Sequence, residues 1–167
     1  TLAQSYQRIG LEREIGFLLR SYTTINDTDY ALLYKSEPEG QRVGFEVDGE
    51  IGSFNIYNEI TYLWGTDKIT MPGSYQGNLL KNYLTNVLGI NYRFNNNLQI
   101  IVEHLINGLA DSNNLDVSNI RYKNGLSSSL NEHVTGISLD YEFSPLLIGK
   151  YDSKIAWQDS SHQHNIT

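Results

Sequence analysis

Polar and ionisable side chains alternate with apolar ones along several stretches of this 167-residue chain. In the clearest stretch, Asn55, Tyr57 and Glu59 occupy every second position. Rows of carboxylates, amides and hydroxyls that face water together favour cations or polyhydroxylated solutes. The same phase of later stretches adds four charged residues: Arg93, Glu103, Asp140 and Glu142. We predict that these residues share one polar surface.

Signals for catalysis are weak. The chain has no Gly-x-Ser-x-Gly nucleophile elbow, and the absence of cysteine excludes thiol catalysis and Cys-ligated zinc. His104 and His133 lie within predicted strands, where a histidine is more often a rim or packing residue than a base. His162 and His164 have a spacing that can chelate a metal weakly, but a disordered tail is the favoured interpretation. We expect no enzyme activity, no cofactor and no metal site.

The elements that must position the polar surface are β-strands. In the stretch 54–64, the phase opposite to Glu59 is apolar and only Asn58 interrupts it. A period of two indicates a strand with one apolar and one polar side. The same alternation predicts eight strands, at residues 12–22, 29–36, 41–48, 53–64, 82–94, 98–107, 133–143 and 147–157. No segment predicts a helix, and the polar tail 158–167 is expected to be a loop or disordered.

Composition narrows the function classes. The formal net charge of −7 disfavours binding to nucleic acid, and it also disfavours attachment to anionic lipid through surface charge. Only three prolines are present, which suits a chain of paired strands. No run of 18 apolar residues exists, so a transmembrane helix is not predicted. The strand at 54–64 is long enough to cross a hydrocarbon layer when tilted.

Connection lengths and aromatic positions indicate a membrane barrel. Short connections at 48–52, 95–97 and 144–145 alternate with long polar ones at 65–81 and 108–132, as in outer-membrane barrels. The aromatic residues in the apolar phase then fall into two bands. One band lies near the short turns and comprises Phe54, Tyr92, Phe94, Tyr141 and Phe143. The other lies at the opposite end and comprises Tyr62 and Trp64. Two such bands are typical of the aromatic girdles at the two membrane interfaces.

Three segments resemble the strand–turn–strand hairpins of large bacterial outer-membrane porin-like β-barrels. They are Leu-Gly-Ile-Asn-Tyr-Arg-Phe at 88–94, Glu-His-Leu-Ile-Asn-Gly at 103–108 and Leu-Asp-Tyr-Glu-Phe-Ser-Pro-Leu-Leu at 139–147. The resemblance covers roughly residues 41–160. It implies a location in the outer membrane of a Gram-negative bacterium and passive or accessory transport, and it carries over no catalytic residue.

The expected fold is therefore an all-β, antiparallel transmembrane β-barrel, either one domain over 1–167 or an internal portion of a larger barrel. The expected function is a porin-like passive channel, or the structural shell of a transmembrane conduit, with a polar acidic lumen. Expected partners are the lipid bilayer and, for a shell, other subunits or a protein inside the barrel.

Two alternatives remain open. The inward groups can instead pair with one another, Arg93 with Glu103 or Glu142, and fill the lumen. The chain can also be a soluble β-sandwich carbohydrate-binding module with Trp64, Tyr75 or Tyr122 as stacking platforms. A sandwich would bury its apolar phase against a second sheet, whereas a barrel exposes that phase to lipid.

Overall fold

The computed structural model describes most of the chain, at residues 2–9, 12–37, 40–65, 82–111, 113, 115–123, 127, 129–158 and 160–167. Side chains are described from Phe17 onward, except at residues 37 and 65. Ten strands form a single sheet, and one short helix lies between two of them.

The strands, in chain order, are β1 Leu2–Ile9, β2 Glu12–Ile25, β3 Thr28–Glu37, β4 Gly40–Ile51, β5 Phe54–Gly65, β6 Tyr83–Arg93, β7 Leu98–Asn107, β8 His133–Ser144, β9 Leu147–Ala156 and β10 Ser161–Ile166. The eight predicted strands correspond to β2–β9, with ends that agree to within three residues.

Each strand pairs antiparallel with its neighbour in sequence, so the sheet order is β1 to β10 without a crossover. The prediction of an all-β antiparallel fold is confirmed. The sheet is not closed into a barrel: among the described residues β1 pairs with β2 and β10 pairs with β9, and no pairing joins β1 to β10. The polar tail 158–167, expected to be a loop or disordered, supplies β10.

Tight turns join four strand pairs at one end of the sheet. Asn26 and Asp27 both have positive φ, 49° and 59°, which is the backbone of a two-residue hairpin turn whose twist matches that of paired strands. The other three turns lie at 52–53, 95–97 and 145–146, and in two of them Gly52 or Asn97 supplies a positive φ. All four contain residues that favour turns.

The prediction that no segment is helical was wrong for α1, Leu115–Lys123, in the long connection between β7 and β8. The helix has nine residues and no apolar stripe, so hydrophobic periodicity does not reveal it. The charges at its ends suit the helix dipole, with Asp116 in the first turn and Arg121 and Lys123 in the last turn. Within the described residues, no helix is both long and apolar enough to cross a membrane.

Candidate functional site

The two faces of the sheet have opposite chemistry. Because side chains alternate along a strand and partners in register share a face, the pairing places each residue on one side or the other. Every described Asp, Glu, Lys and Arg side chain on a strand lies on the same side, here called the polar face. These residues are Arg20, Asp29, Lys35, Arg42, Glu46, Asp48, Glu50, Glu59, Arg93, Glu103, Asp140, Glu142, Lys150, Asp152 and Lys154. The opposite side, the apolar face, carries no described charged side chain on any strand.

The polar face is concave. One depression of about 670 Å³ extends from Val87 on β6 to Asn165 on β10, and Glu103 and Lys154 lie along it. A second depression of about 480 Å³ extends over β2–β5. Side chains of four or five successive strands line each open depression, as expected where a sheet curves with its charged side inward.

The depression over β2–β5 is acidic. Its lining includes four carboxylates and one guanidinium: Asp29, Glu46, Asp48, Glu59 and Arg20. Glu46 lies directly opposite Glu59, an arrangement of like charges that destabilises a sheet. Arg20 forms an ion pair with Glu46 from two strands away, which offsets part of that repulsion. Glu59 was among the predicted polar residues, but Arg20 and Glu46 were missed, although they follow the same alternation.

Asn55 and Tyr57 are tied to neighbouring carboxylates. The Asn55 amide donates to Asp48 Oδ1 at 2.5 Å, and the Tyr57 hydroxyl donates to the Glu103 carboxylate two strands away. Tyr57 reaches that far because Gly89 lies between the two residues in register. A Cβ at Gly89 would overlap the Tyr57 ring, so this glycine leaves the space that the ring occupies.

Over β6–β10, several charges of the polar face form ion pairs. Arg93 bonds Glu142 at 3.3 Å, the second of the two partners expected for it. Lys150 lies between Asp140 at 3.8 Å and Asp152 at 3.7 Å. These groups are partly exposed, so the pairs contribute little stability. The seven predicted polar residues thus share one face.

The apolar face carries the two aromatic bands. Near the short turns, ring centroids are 4.6 Å apart for Phe54–Tyr92, 4.5 Å for Tyr92–Phe94 and 4.7 Å for Tyr141–Phe143. At the opposite end Tyr62 and Trp64 meet edge to face at 4.7 Å. All seven predicted aromatic residues therefore lie on the face opposite to the charges.

Large apolar side chains between the bands are exposed. Leu32 is 58% exposed, Leu88 50% and Phe45 44%, although all three are near the middle of long strands. Two amides on this face fold back onto the backbone: Asn58 donates to the Val87 carbonyl at 3.0 Å and Asn86 donates to the Glu59 carbonyl at 3.1 Å. Asn58, which interrupts the apolar phase in the sequence, thus donates one of its two amide N–H groups within the sheet.

The connection between β7 and β8 covers part of the polar face at the end away from the short turns. Leu109 packs with Leu63 and Tyr83, which lie on that face, and all three are buried. The buried Arg121 of α1 donates to the Leu109 carbonyl at 2.6 Å. Asn107 donates to Ser127 Oγ at 2.9 Å and to the Ser129 carbonyl at 2.9 Å. The polar alternation gives no signal for this inward-folded connection.

All four histidines lie on the apolar face, on β7, β8 and β10. Among the described residues, no group of three or more His, Asp and Glu side chains converges in a way that would hold a metal ion. Tyr75, one of the three stacking platforms considered for sugar, lies outside the described residues. The other two are on different elements, Trp64 at the end of β5 and Tyr122 on α1.

Fold and site together define an all-β protein with a curved antiparallel sheet, charged inside and apolar outside. No protein-family model, curated protein or solved structure matches the chain significantly.

Proposed function

We propose that this chain forms the wall of an outer-membrane β-barrel, with the apolar face in lipid and the polar face toward an aqueous lumen. The observation that carries the proposal is the confinement of all described charged strand side chains to the concave face. A charge on the lipid face of a barrel costs about 2–4 kcal/mol at the bilayer midplane, so a membrane wall excludes it. An apolar face exposed to water has no such requirement.

The dimensions of the apolar face support the same proposal. Phe54 and Trp64 mark the two aromatic bands on one strand and are ten residues apart, or about 33 Å along the strand. Barrel strands tilt by about 35–45°, which reduces this to roughly 23–27 Å across the bilayer, close to the apolar band of about 25 Å in such barrels.

The open sheet supports a role as part of a larger wall. An unpaired strand edge in hydrocarbon leaves backbone groups without partners, at several kcal/mol each. The edges at β1 and β10 therefore need pairing partners in a complete wall, either each other or strands of another subunit.

The acidic lumen favours a cation-preferring passive channel over an enzyme. Four carboxylates face one guanidinium over β2–β5, and rings of carboxylates select cations in pores. A structural shell that surrounds another protein would use the same wall. A carbohydrate-binding sandwich would need a second sheet over the apolar face, and the described residues form one sheet.

The proposed membrane location is tested by asking whether the protein needs detergent to stay in solution. The protein should require detergent to remain monodisperse and should migrate differently on a gel before and after heating, because folded barrels resist denaturation by the gel detergent. Monodispersity in water without detergent, with no heat-dependent shift, would refute the membrane location.

The channel is tested separately, in a planar bilayer with a salt gradient. A conducting wall should give discrete openings with a reversal potential toward that of the cation. A heat-modifiable protein without conductance would leave the barrel in place and refute the channel, in favour of the shell.

A further inference from the structure

A glycine leaves a gap in the larger depression of the polar face. Gly136 on β8 lies in register between Glu103 on β7 and Lys154 on β9. A Cβ at Gly136 would meet no atom within 4 Å, whereas the space over Gly89, in the same row, is filled by the Tyr57 ring. The depression of about 670 Å³ is therefore open at Gly136, with a carboxylate on one side and an ammonium group on the other.

The two charges beside this gap are available to a ligand. Glu103 and Lys154 are two strand spacings apart, so their Cα atoms are separated by roughly 10 Å, and no ion pair joins them. Within the described part of the chain Lys154 forms no ion pair, in contrast to Lys150 on the same strand and face, which lies near two carboxylates. The Tyr57 hydroxyl donates to Oε1 of Glu103 from the side away from the gap. Both Glu103 and Lys154 are exposed.

An apolar surface lies next to the charged gap. The adjacent row, toward the end away from the short turns, contains Val87, Leu105 and Val134 in register. All three line the same depression; Val134 is buried and the other two are half-buried. Sites for small molecules have volumes of about 300–1,000 Å³ and combine an apolar lining with a few polar groups that fix orientation. This depression has both the volume and the mixed lining of such a site.

We propose that the depression binds a zwitterionic α-amino acid with an aliphatic side chain, such as leucine. The ligand's ammonium group pairs with Glu103 and its carboxylate with Lys154, because charge-assisted hydrogen bonds are the strong ones. Its side chain contacts Val87, Leu105 and Val134. A simple cation pairs with Glu103 alone and a simple anion with Lys154 alone, and neither uses the apolar row. The proposal rests on the proposed function in that the polar face is open to water, and it adds a class of solute.

The test is titration calorimetry with L-leucine on the detergent-solubilised protein, together with saturation-transfer NMR. We expect one saturable site per chain and the strongest saturation transfer at the leucine methyl protons. Three analogues each lack one feature: 3-methylbutylamine the carboxylate, 4-methylpentanoate the ammonium group, and glycine the aliphatic side chain. Each analogue should bind at least tenfold more weakly than leucine.

Substitutions locate the site. Glu103→Gln and Lys154→Gln should each weaken leucine binding at least tenfold. Gly136→Val should also weaken it at least tenfold without any change of charge, because the new side chain occupies the gap. The matched control is Lys150→Gln, which removes a lysine from the same strand and face but outside the lining of the depression. Lys150→Gln should change the affinity less than twofold.

Three results would overturn the site: no saturable leucine binding, an analogue that binds as tightly as leucine, or unchanged affinity in Lys154→Gln. Lys154 is exposed, so Lys154→Gln should retain the β-sheet signal in circular dichroism even if Gly136→Val does not. The channel is measured in salt without leucine, and the site in detergent without a current. Leucine binding by a protein that is silent in the bilayer would support the site and refute the channel, whereas conductance without leucine binding would refute the site alone.

Discussion

A lysine placed at the middle of the apolar face should cost far more than the same lysine at its rim. Leu88 and Leu84 lie on the same face of β6, four residues apart, and are 50% and 44% exposed. Leu84 is opposite Tyr62 of the distal aromatic band, whereas Leu88 lies midway between that level and Tyr92 of the other band. The two sites differ chiefly in depth, which makes them a matched pair.

The magnitude follows from the depth. Lysine on the lipid face costs about 2–4 kcal/mol at the midplane and about 0–1 kcal/mol near the interface. Leu88→Lys should therefore lower the folding equilibrium constant roughly 30- to 900-fold, and Leu84→Lys by less than about tenfold, because about 1.4 kcal/mol is a factor of ten. In water, both sites are exposed and each change should stay within about 0.5 kcal/mol.

The measurement is equilibrium unfolding by denaturant in lipid vesicles, with the folded fraction read from heat-dependent gel migration. The difference between the two variants is more reliable than either value, because vesicle and denaturant effects cancel. If Leu88→Lys and Leu84→Lys agree within about 0.5 kcal/mol, the apolar face is not in lipid and the membrane proposal is wrong.

Three further substitutions test the two faces. Arg20→Ala removes a cation that pairs with one of two opposing carboxylates. Stability should change little because the pair is exposed, and the channel should become more cation-selective. A reversal potential shifted toward that of the anion would contradict the acidic lumen. Gly89→Ala should destabilise the fold by about 1–3 kcal/mol, because the new Cβ overlaps the Tyr57 ring. Its control is Gly136→Ala, whose Cβ meets nothing within 4 Å and which should change stability by less than about 1 kcal/mol. Equal unfolding midpoints for the two variants would refute the packing of Tyr57 against Gly89. Asn58→Asp should lower stability in vesicles by at least about 1 kcal/mol, since a carboxylate cannot donate to the Val87 carbonyl and places a charge on the lipid side. An unchanged unfolding midpoint would argue against both the hydrogen bond and the lipid contact.

The faces of the sheet could be predicted because every strand pairs with its neighbour in sequence. In such a meander, each strand pairs with the next, so the phase of alternation carries from strand to strand. Glu59 on β5 and Asp140 on β8 therefore share a face although two strands, β6 and β7, lie between them. A slip of one residue in any pairing would move a whole strand's charges to the other face. The observed segregation therefore depends on the register of every hairpin.

Elements without alternation could not be predicted in this way. The segments that form β1 and β10 are short, and β10 is polar in both phases, Ser-His-Gln-His-Asn before its last residue. Helix α1 has no apolar stripe and is held by contacts such as that of Arg121 with the Leu109 carbonyl. Those contacts depend on where the connection folds, which local sequence does not specify.

Apart from the ion pair of Arg93 with Glu142, which was one of two expected pairings, specific partners could not be predicted, because they depend on the register across more than one strand. Tyr57 bonds Glu103 only because Gly89 stands between them and leaves room for the ring. His104 meets His133 diagonally, since its direct partner in register is Thr135. Alternation assigns a face to each of these residues, but only the pairing of particular rows brings two of them into contact. The chemistry of each face can thus be predicted from single strands, whereas contacts between particular side chains depend on how several strands pair.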